Sequence, residues 1–479
     1  MGTFFGIEIG RRGIAAGQRA LETTGHNVAN ANTKGYSRQE VVLATTSPYS
    51  YPGMGAGQRG TGVQAQEVRR IREEFLDYQY RNEVKALGRW QVRQDTLEKL
   101  EAILNEPSDQ GLSKLMDRFF DAWQNVARYP DTEGARSALR QEGMALADAF
   151  RHLADQINDL KADINSSIEV KVNEINSLAR QIRDLNTQIV KAEAGNMAAN
   201  DLRDRRDLLL DQLAEVVPIQ VEEDRFGAVS IVVRDHTLLS GQKVNELAVE
   251  VGSGQVRWPD GAEYRLGRQP YGTLEGLLEA VREDKSEPPT DPGLIQSYQS
   301  RLDTLAKAII NGVNGLHVDG LGLTGETGLE FFAGFGAGSM KVNDVLLDTD
   351  GLSKIAAAIK PDPNNPTPPP PGDGSNALLI AQLRYKLAAN GSATFGDYYN
   401  ALVAELGVQG QEAERMVENQ TVLTAGIDNR RLAVSGVSLD EEMVNMIRFQ
   451  QAYNASARLI TAVDEMLEVL ISRTGLVGR

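Results

Sequence analysis

Residues 153–189, LADQINDLKADINSSIEVKVNEINSLARQIRDLNTQI, decide the fold class. Leu153, Ile157, Leu160, Ile164, Ile168, Val172, Ile175, Leu178, Ile182, Leu185 and Ile189 recur at steps of three and four, which places them on one apolar stripe of a helix. The pattern extends over about Thr132–Ala194 and predicts one long bundle helix, with its stop at Gly195-Asn196. The eleven-residue step from Ile164 to Ile175 is a stutter that locally unwinds a supercoil. A stripe of this length is a packing seam and not a cofactor box.

Working outward, both ends of the chain carry a seven-residue pattern. Over residues 3–31, Ile7, Ile14, Leu21 and Val28 recur every seven positions, and Gly10, Gly17 and Thr24 follow three residues after the first three of them. This is a helical seam with large residues at one position and small ones at the other. Gly6, Gly10, Gly13, Gly17 and Gly25 each cost about 1 kcal/mol relative to alanine in a helix interior. Such a helix is not stable alone, and its glycines admit a close partner backbone. At the other end, Ser438 and Glu441 form a capping-box pattern. Leu439, Met443, Met446, Gln450, Tyr453, Ala457, Ile460, Asp464, Leu467 and Ile471 then alternate steps of four and three, with polar Gln450 and Asp464 as register-setting residues. The chain is expected to fold back so that its two end helices lie side by side.

Between these helices the pattern predicts a strand at Glu40–Thr45, a Pro/Gly/Tyr-rich loop over 48–62 and helix over 64–105. A break at Glu106-Pro107 precedes helices Leu112–Arg128 and Asn200–Val217. Short strands follow in IQVEED, AVSIVVRD, HTLLSG and LAVEVG, then helix Leu294–Leu316, a Pro-rich linker at 361–374, and helices over about 376–388, 394–406 and 408–432. The expected fold is mainly α with an inserted β-rich domain (α+β). The expected domains are 1–40 with 435–479, a helical bundle of 41–217 with 294–318 and 375–434, and a β-rich outer part of 218–293 with 319–374.

Composition narrows the function. A chain of 479 residues suggests two to four domains. It has no cysteine, which excludes disulfides, thiolate metal sites and cysteine nucleophiles. A net charge of −16 without a dense basic block argues against nucleic acid as a partner. No stretch approaches the ~20 apolar residues of a membrane span, and MGTFFGIEIGRRG lacks the pattern of a cleaved secretory signal. The G-x-G-x-x-G matches at 55–60 and 320–325 lack strand–helix context and read as turns. Asp201, Asp204, Asp207 and Asp211 share a helix face, but the interleaved Arg203, Arg205 and Arg206 suggest a solvated ion-paired face rather than a cation site. His26, His152, His236 and His317 are scattered without zinc-ligand spacing, and neither Ser240 nor Ser435 lies in G-x-S-x-G. No catalytic, cofactor-binding or metal residue is assigned.

LETTGHNVANANTKGYSRQ, residues 21–39, resembles the N-terminal motif of the bacterial flagellar rod, hook and hook-associated proteins through Asn27, Ala29, Asn30, Thr33, Gly35 and Tyr36. SLDEEMVNMIRFQQAYNASARLITAVDEMLEVL, residues 438–470, resembles their C-terminal helix. The opening TFFGIEIGRRGIAAGQRAL, Ser37-Arg38-Gln39, NDLRDRRDLLLDQLAEVV, LHVDGLGLTGETGLEFF and ATFGDYYNALVAELG look like the hook-associated protein 1 family within that group. The β-rich middle and the Pro-rich linker look short for it.

The resemblance implies a non-enzymatic structural protein joining hook to filament, with no cofactor, exported through the flagellum without a cleaved signal. The implied partners are further copies of itself, the hook protein, the second junction protein and the flagellin side of the filament, with a type III export chaperone on the C-terminal helix. The seams and the motif together suggest an assembly interface at Ile7, Ile14, Leu21, Val28, Asn27, Asn30, Gly35, Tyr36, Met443, Met446, Gln450, Tyr453, Ile460 and Leu467. Residues 1–35 and 440–479 are expected to be disordered in the free monomer. A hook or distal-rod protein is the alternative within the group, and a secreted adhesin or glycan-active protein the alternative outside it. The long helical middle disfavours the first, and the missing signal, anchor and carboxylate pair disfavour the second.

Overall fold

The computed structural model describes residues 4–50, 58–106, 108, 111–195, 197–250, 254–267, 271–284, 292–360, 372–386 and 393–473. The proline run from 361 to 371, Pro107, Asn196 and residues 51–57 of the 48–62 loop, including Gly55 and Gly57 of the first glycine motif, lie outside them. Helices dominate: α1 (Phe4–Ala29), α2 (Glu74–Leu104), α3 (Leu112–Arg128), α4 (Glu133–Ala194), α5 (Asn200–Val216), α6 (Gly272–Val281), α7 (Leu294–Val318), α8 (Asp344–Leu347), α9 (Ser375–Gln382), α10 (Phe395–Ser435) and α11 (Leu439–Arg473). The strands form small antiparallel sheets. The residues cluster into two compact units, one of 1–86, 173–247 and 420–479, the other of 87–172 and 248–419.

In the first unit, strands Ile219–Glu223, Val229–Val233, His236–Ser240 and Lys243–Val244 form a meander. Val229, Ile231, Val233, Leu238 and Leu239 are buried, as are Ile175, Ile182 and Ile189 of the α4 stripe. Two asparagines on α4 hold the strand segments as an extra ladder rung would. Asn186 donates to Val229 O at 2.8 Å and accepts from Val229 N at 3.1 Å. Asn176 does the same with Leu247, at 2.8 and 2.9 Å. Each amide matches both backbone polar groups of one residue, which removes the cost of burying them unpaired.

The second unit is built around rings. Phe119 and Trp123 of α3 pack on Phe331 at centroid distances of 5.7 and 5.3 Å, and Phe120 stacks on Phe395 at 5.8 Å. His317 closes this cluster. Its Nδ1 donates to Leu329 O at 2.7 Å and its Nε2 accepts from Ala356 N at 3.0 Å, an arrangement that only the neutral ring satisfies.

Burial therefore pushes the pKa of His317 from 6.5 down to about 4. The unfolded chain takes up this proton near pH 6.5 and the folded chain only near pH 4, so its contribution to stability is whole above pH 6.5 and falls as pH drops towards 4. The loss by pH 5 is expected to be about 2 kcal/mol. Denaturant titrations at pH 8 and pH 5 check it. His317→Gln is expected to be less stable at pH 8 and to lose that increment of pH dependence.

Several local expectations change. Residues 64–70 are not helix: Val63–Arg70 is a strand paired with Gln39–Thr45, with a bulge between Val42 and Leu43. A run this short carries no decisive period, and the ladder to the earlier strand settles it. Tyr49–Ser50 pairs with Gln58–Arg59 inside the predicted loop. Among the described residues of LAVEVG, Ala248–Val249 is strand, and α6 occupies part of the stretch expected to be β-rich. The two helices expected over 394–406 and 408–432 are one, α10, because Tyr399, Leu402, Leu406 and Ala413 continue one buried stripe past Gly407. That packing outweighs the ~1 kcal/mol preference of glycine against helix. The segments 218–247 and 319–359 fall in different units, so they do not share one β-rich body.

Candidate functional site

The end helices α1 and α11 pack against each other in the first unit. The small row of α1 faces α11. A Cβ added at Gly10 would lie 2.6 Å from Ile460 Cγ1, one at Gly13 would lie 2.4 Å from Ser456 Oγ, and one at Gly6 would lie 2.9 Å from Val463 Cγ2. At Gly17 the added atom would stand 3.4 Å from the Tyr453 backbone. Four of the five glycines that weaken the isolated helix, all but Gly25, are thus the positions at which α11 comes closest. Gly10, Ala16, Gly17, Ala20 and Thr24 are buried, whereas Ile7, Ile14, Leu21 and Val28 are only half-buried on the flank. On α11 the inward row includes Glu442, Tyr453, Ser456, Ile460 and Val463. Leu467 is half-buried, while Met443, Met446 and Gln450 point to solvent.

The chain leaves α1 through a knot of hydrogen bonds centred on Asn27, which is 1% exposed. Its Nδ2 donates to Gln39 O at 2.9 Å and to Glu442 Oε2 at 3.1 Å. Its Oδ1 accepts from Gln39 N at 2.9 Å and from Tyr36 OH at 2.8 Å. All four capacities of the amide are used. Asn30 closes the end of α1, donating to His26 O at 3.0 Å and accepting from Thr33 Oγ1 at 3.2 Å. Gly35 turns the chain at φ +82°, where a Cβ would meet Leu208 at 3.2 Å. Tyr36 sits edge-on to His26, with centroids 5.5 Å apart. Burial, together with the charges of Asp201, Asp204 and Glu442, pushes the Tyr36 hydroxyl well above its usual range.

Arg38 joins this knot to the start of α11. Its Nε donates to Glu442 Oε1 at 2.8 Å, its Nη1 to Glu441 Oε2 at 2.6 Å, and its backbone N to Ser435 O at 2.8 Å. Glu442 is 2% exposed. Half of the predicted capping box forms: the Ser438 hydroxyl lies 3.5 Å from Glu441 N, but the Glu441 carboxylate is taken by Arg38.

Of the four α5 aspartates only Asp201 stays exposed. Asp204, Asp207 and Asp211 turn inward and meet arginines from elsewhere in the unit. Arg70 reaches Asp204 at 2.9 Å and Asp207 at 2.7 Å, while Arg81 and Arg431 each reach Asp211 at 2.7 Å. Arg72 and Arg431 share Asp77 at 2.6 and 2.9 Å, and Arg431 also covers the Tyr80 ring at 4.3 Å. Burial raises the pKa of Asp204. It also opposes the charge of Asp207, yet Arg72, Arg70 and Arg81 together hold that carboxyl below its usual range. The interleaved Arg206 is itself buried, donating to Gly227 O at 2.5 Å and to Glu223 at 2.8 Å. Helix spacing pairs neighbours along one element, whereas these partners come from α2, α10 and the strand before α2.

Among the expected interface residues, Asn27 is therefore consumed inside the chain, and Asn30, Gly35 and Tyr36 shape the turn after α1. Glu442, Arg38, Arg70, Arg72, Asp77 and Arg431 are the residues that sequence reasoning missed. Hydrophobic spacing gives no signal for Glu442, which lies beside the predicted row of Leu439, Met443 and Met446.

Family models match in three places. Residues 7–36 match "Flagella basal body rod protein", 97–332 match "Flagellar hook-associated protein FlgK helical domain", and 429–473 match "Flagellar basal body rod FlgEFG protein C-terminal". The chain is 35% identical to flagellar hook-associated protein 1 of Bacillus subtilis, over 100% of this chain and 99% of that one. It is 25% identical to flagellar hook-associated protein 1 of Escherichia coli, over 96% and 98%. The solved structure of the flagellar hook junction protein FlgK from Burkholderia pseudomallei shares the fold at a TM-score of 0.61 and 16% identity, covering 74% of this chain and 100% of that one.

Proposed function

The chain belongs to the flagellar hook-associated protein 1 family, and from that premise we propose that it acts without catalysis, as a tube subunit assembled through its paired end helices. It is a structural component of the bacterial flagellum, at the junction of hook and filament. One observation supports this mode of assembly above the rest. The pair α1–α11 buries only one side of α11, and Met443, Val444, Met446, Ile447, Met466, Val469, Leu470 and Ile471 remain exposed. An apolar surface of that extent on one helix marks an interaction site. Copies stacked head to tail join two different surfaces, a contact that propagates instead of closing on itself.

In this reading residues 1–40 and 435–479 form the inner assembly domain. Met443, Met446 and Gln450 touch neighbouring subunits, while Ile7, Ile14, Leu21 and Val28 contribute the flank. The neighbours are further copies, the hook protein on one side, and the second junction protein and flagellin on the other. Before assembly an export chaperone covers α11, and the chain leaves through the flagellar type III route.

Electron microscopy of cells lacking the gene, with an assay for flagellin in the medium, tests this function. Hooks without filaments, and flagellin released to the medium, are the expected result. Intact filaments would refute it, and missing hooks would move the protein down to the rod or hook.

A further inference from the structure

Phe335 is 89% exposed, yet its loop is tightly built. Gly334 has φ +107°, and a Cβ there would lie 2.1 Å from Ser339 O. Phe335 N donates to Ser339 Oγ at 3.0 Å, and Ala337 N donates to Asp303 Oδ1 at 2.8 Å. The flanking segments Phe332–Ala333 and Lys341–Val342 pair as strands. Burying a phenylalanine is favourable, and here a braced turn presents one to solvent instead.

A second apolar spot lies on the outer face of α9 and the short helical turn after it. Leu378, Gln382 and Tyr385 are spaced four and three residues apart and all are exposed, Tyr385 at 75%. Arg384 lies 5.7 Å from the Tyr385 ring centroid and is anchored on Asp117 and Asp121 at 2.7 and 2.9 Å.

Helix α7 relates the two spots. Asp303 and Asn314, eleven residues or about three turns apart, bind the 331–337 segment on one face. Gly312 and Leu316, about two and a half and three and a half turns from Asp303, meet Leu383 and Asn376 on the other. Knob and seat therefore lie on opposite sides of α7 within one unit. Two complementary spots on opposite sides make a contact that repeats from copy to copy, whereas a shared side would close the molecule into pairs. An aromatic knob meeting a tyrosine beside an anchored arginine has the composition of an interface hot spot. The charges also match: exposed Glu330 lies at the base of the knob and exposed Lys386 beside the seat.

We propose that Phe335 of one copy docks against Leu378 and Tyr385 of the adjacent copy of this chain, setting the lateral register between subunits. The proposal rests on the junction-protein function above. The chain has no cysteine, so Gly338→Cys beside the knob and Gln382→Cys within the seat supply the only thiols and leave Phe335, Leu378 and Tyr385 in place. In intact flagella carrying the double variant, a short bismaleimide is expected to shift most of the chain into a ladder of dimers, trimers and higher species. Each single variant is expected to stay monomeric, and adding Phe335→Ala is expected to abolish the ladder.

Immunogold labelling of the same cells locates the chain. No ladder from a chain that does sit at the junction overturns this contact alone. Dimers from Gly338→Cys by itself put the knob on a two-fold axis and also overturn it. A chain absent from the junction refutes the function itself and the contact with it.

Discussion

Arg38→Met is expected to cost about 3–5 kcal/mol in the first unit, because it leaves Glu442 buried without its guanidinium partner. Glu442 is 2% exposed, and Arg38 and Asn27 supply its hydrogen bonds. One partner comes from the last turn of α1 and the other from the segment after it, so the carboxylate is satisfied only when the two ends of the chain are docked in register. Hydrogen exchange should show the loss in α1 and in the first turns of α11, with the aromatic core around Trp123 unchanged. Adding Glu442→Leu to Arg38→Met should recover most of the loss, since replacing both members of a buried pair is far less costly than removing one. A loss below about 1 kcal/mol would mean that water reaches the pair and that it behaves as a surface ion pair.

Gly10→Ile is expected to separate α1 from α11 and to abolish filament attachment. A Cβ alone would stand 2.6 Å from Ile460 Cγ1 and 3.3 Å from the Ser456 carbonyl oxygen, and a branched side chain has nowhere to go. Overpacking of this kind costs about 1–3 kcal/mol. Gly10→Ala should be milder, because the helix gains about 1 kcal/mol of propensity against the clash. Combining it with Ile460→Ala should restore attachment. Motility and electron micrographs of hooks check all three variants. Normal filaments on Gly10→Ile cells would show that the close approach is not needed in the assembled structure.

The long stripe of 153–189 was readable because one helix face buried along its whole length leaves a period in the residues themselves. The end helices were readable for the same reason, and the glycine-weakened α1 announced that it required a neighbour. The seven-residue pattern did not say which row of α1 faces inward. Large residues look like seam residues, but here the glycines do that work and Ile7, Ile14, Leu21 and Val28 stay on the flank. Likewise the pattern of α11 favoured Met443 and Met446, while the docked row passes through Glu442, a residue that hydrophobic periodicity reads as solvent-facing.

Hydrophobic spacing along the chain, then, was enough by itself to determine a mainly helical protein with helical ends, and the two terminal motifs pointed to its family. Tertiary structure alone decided the partners of the charges. The carboxylates of α5 looked solvated beside Arg203, Arg205 and Arg206, yet Asp204, Asp207 and Asp211 are neutralised by Arg70, Arg72, Arg81 and Arg431. It also decided that 64–70 is a strand and that Phe335 is held out in water. Periodicity records which side of an element avoids solvent, whereas ion pairs, ladders and loop braces depend on residues far apart in the chain, and no local pattern carries that information.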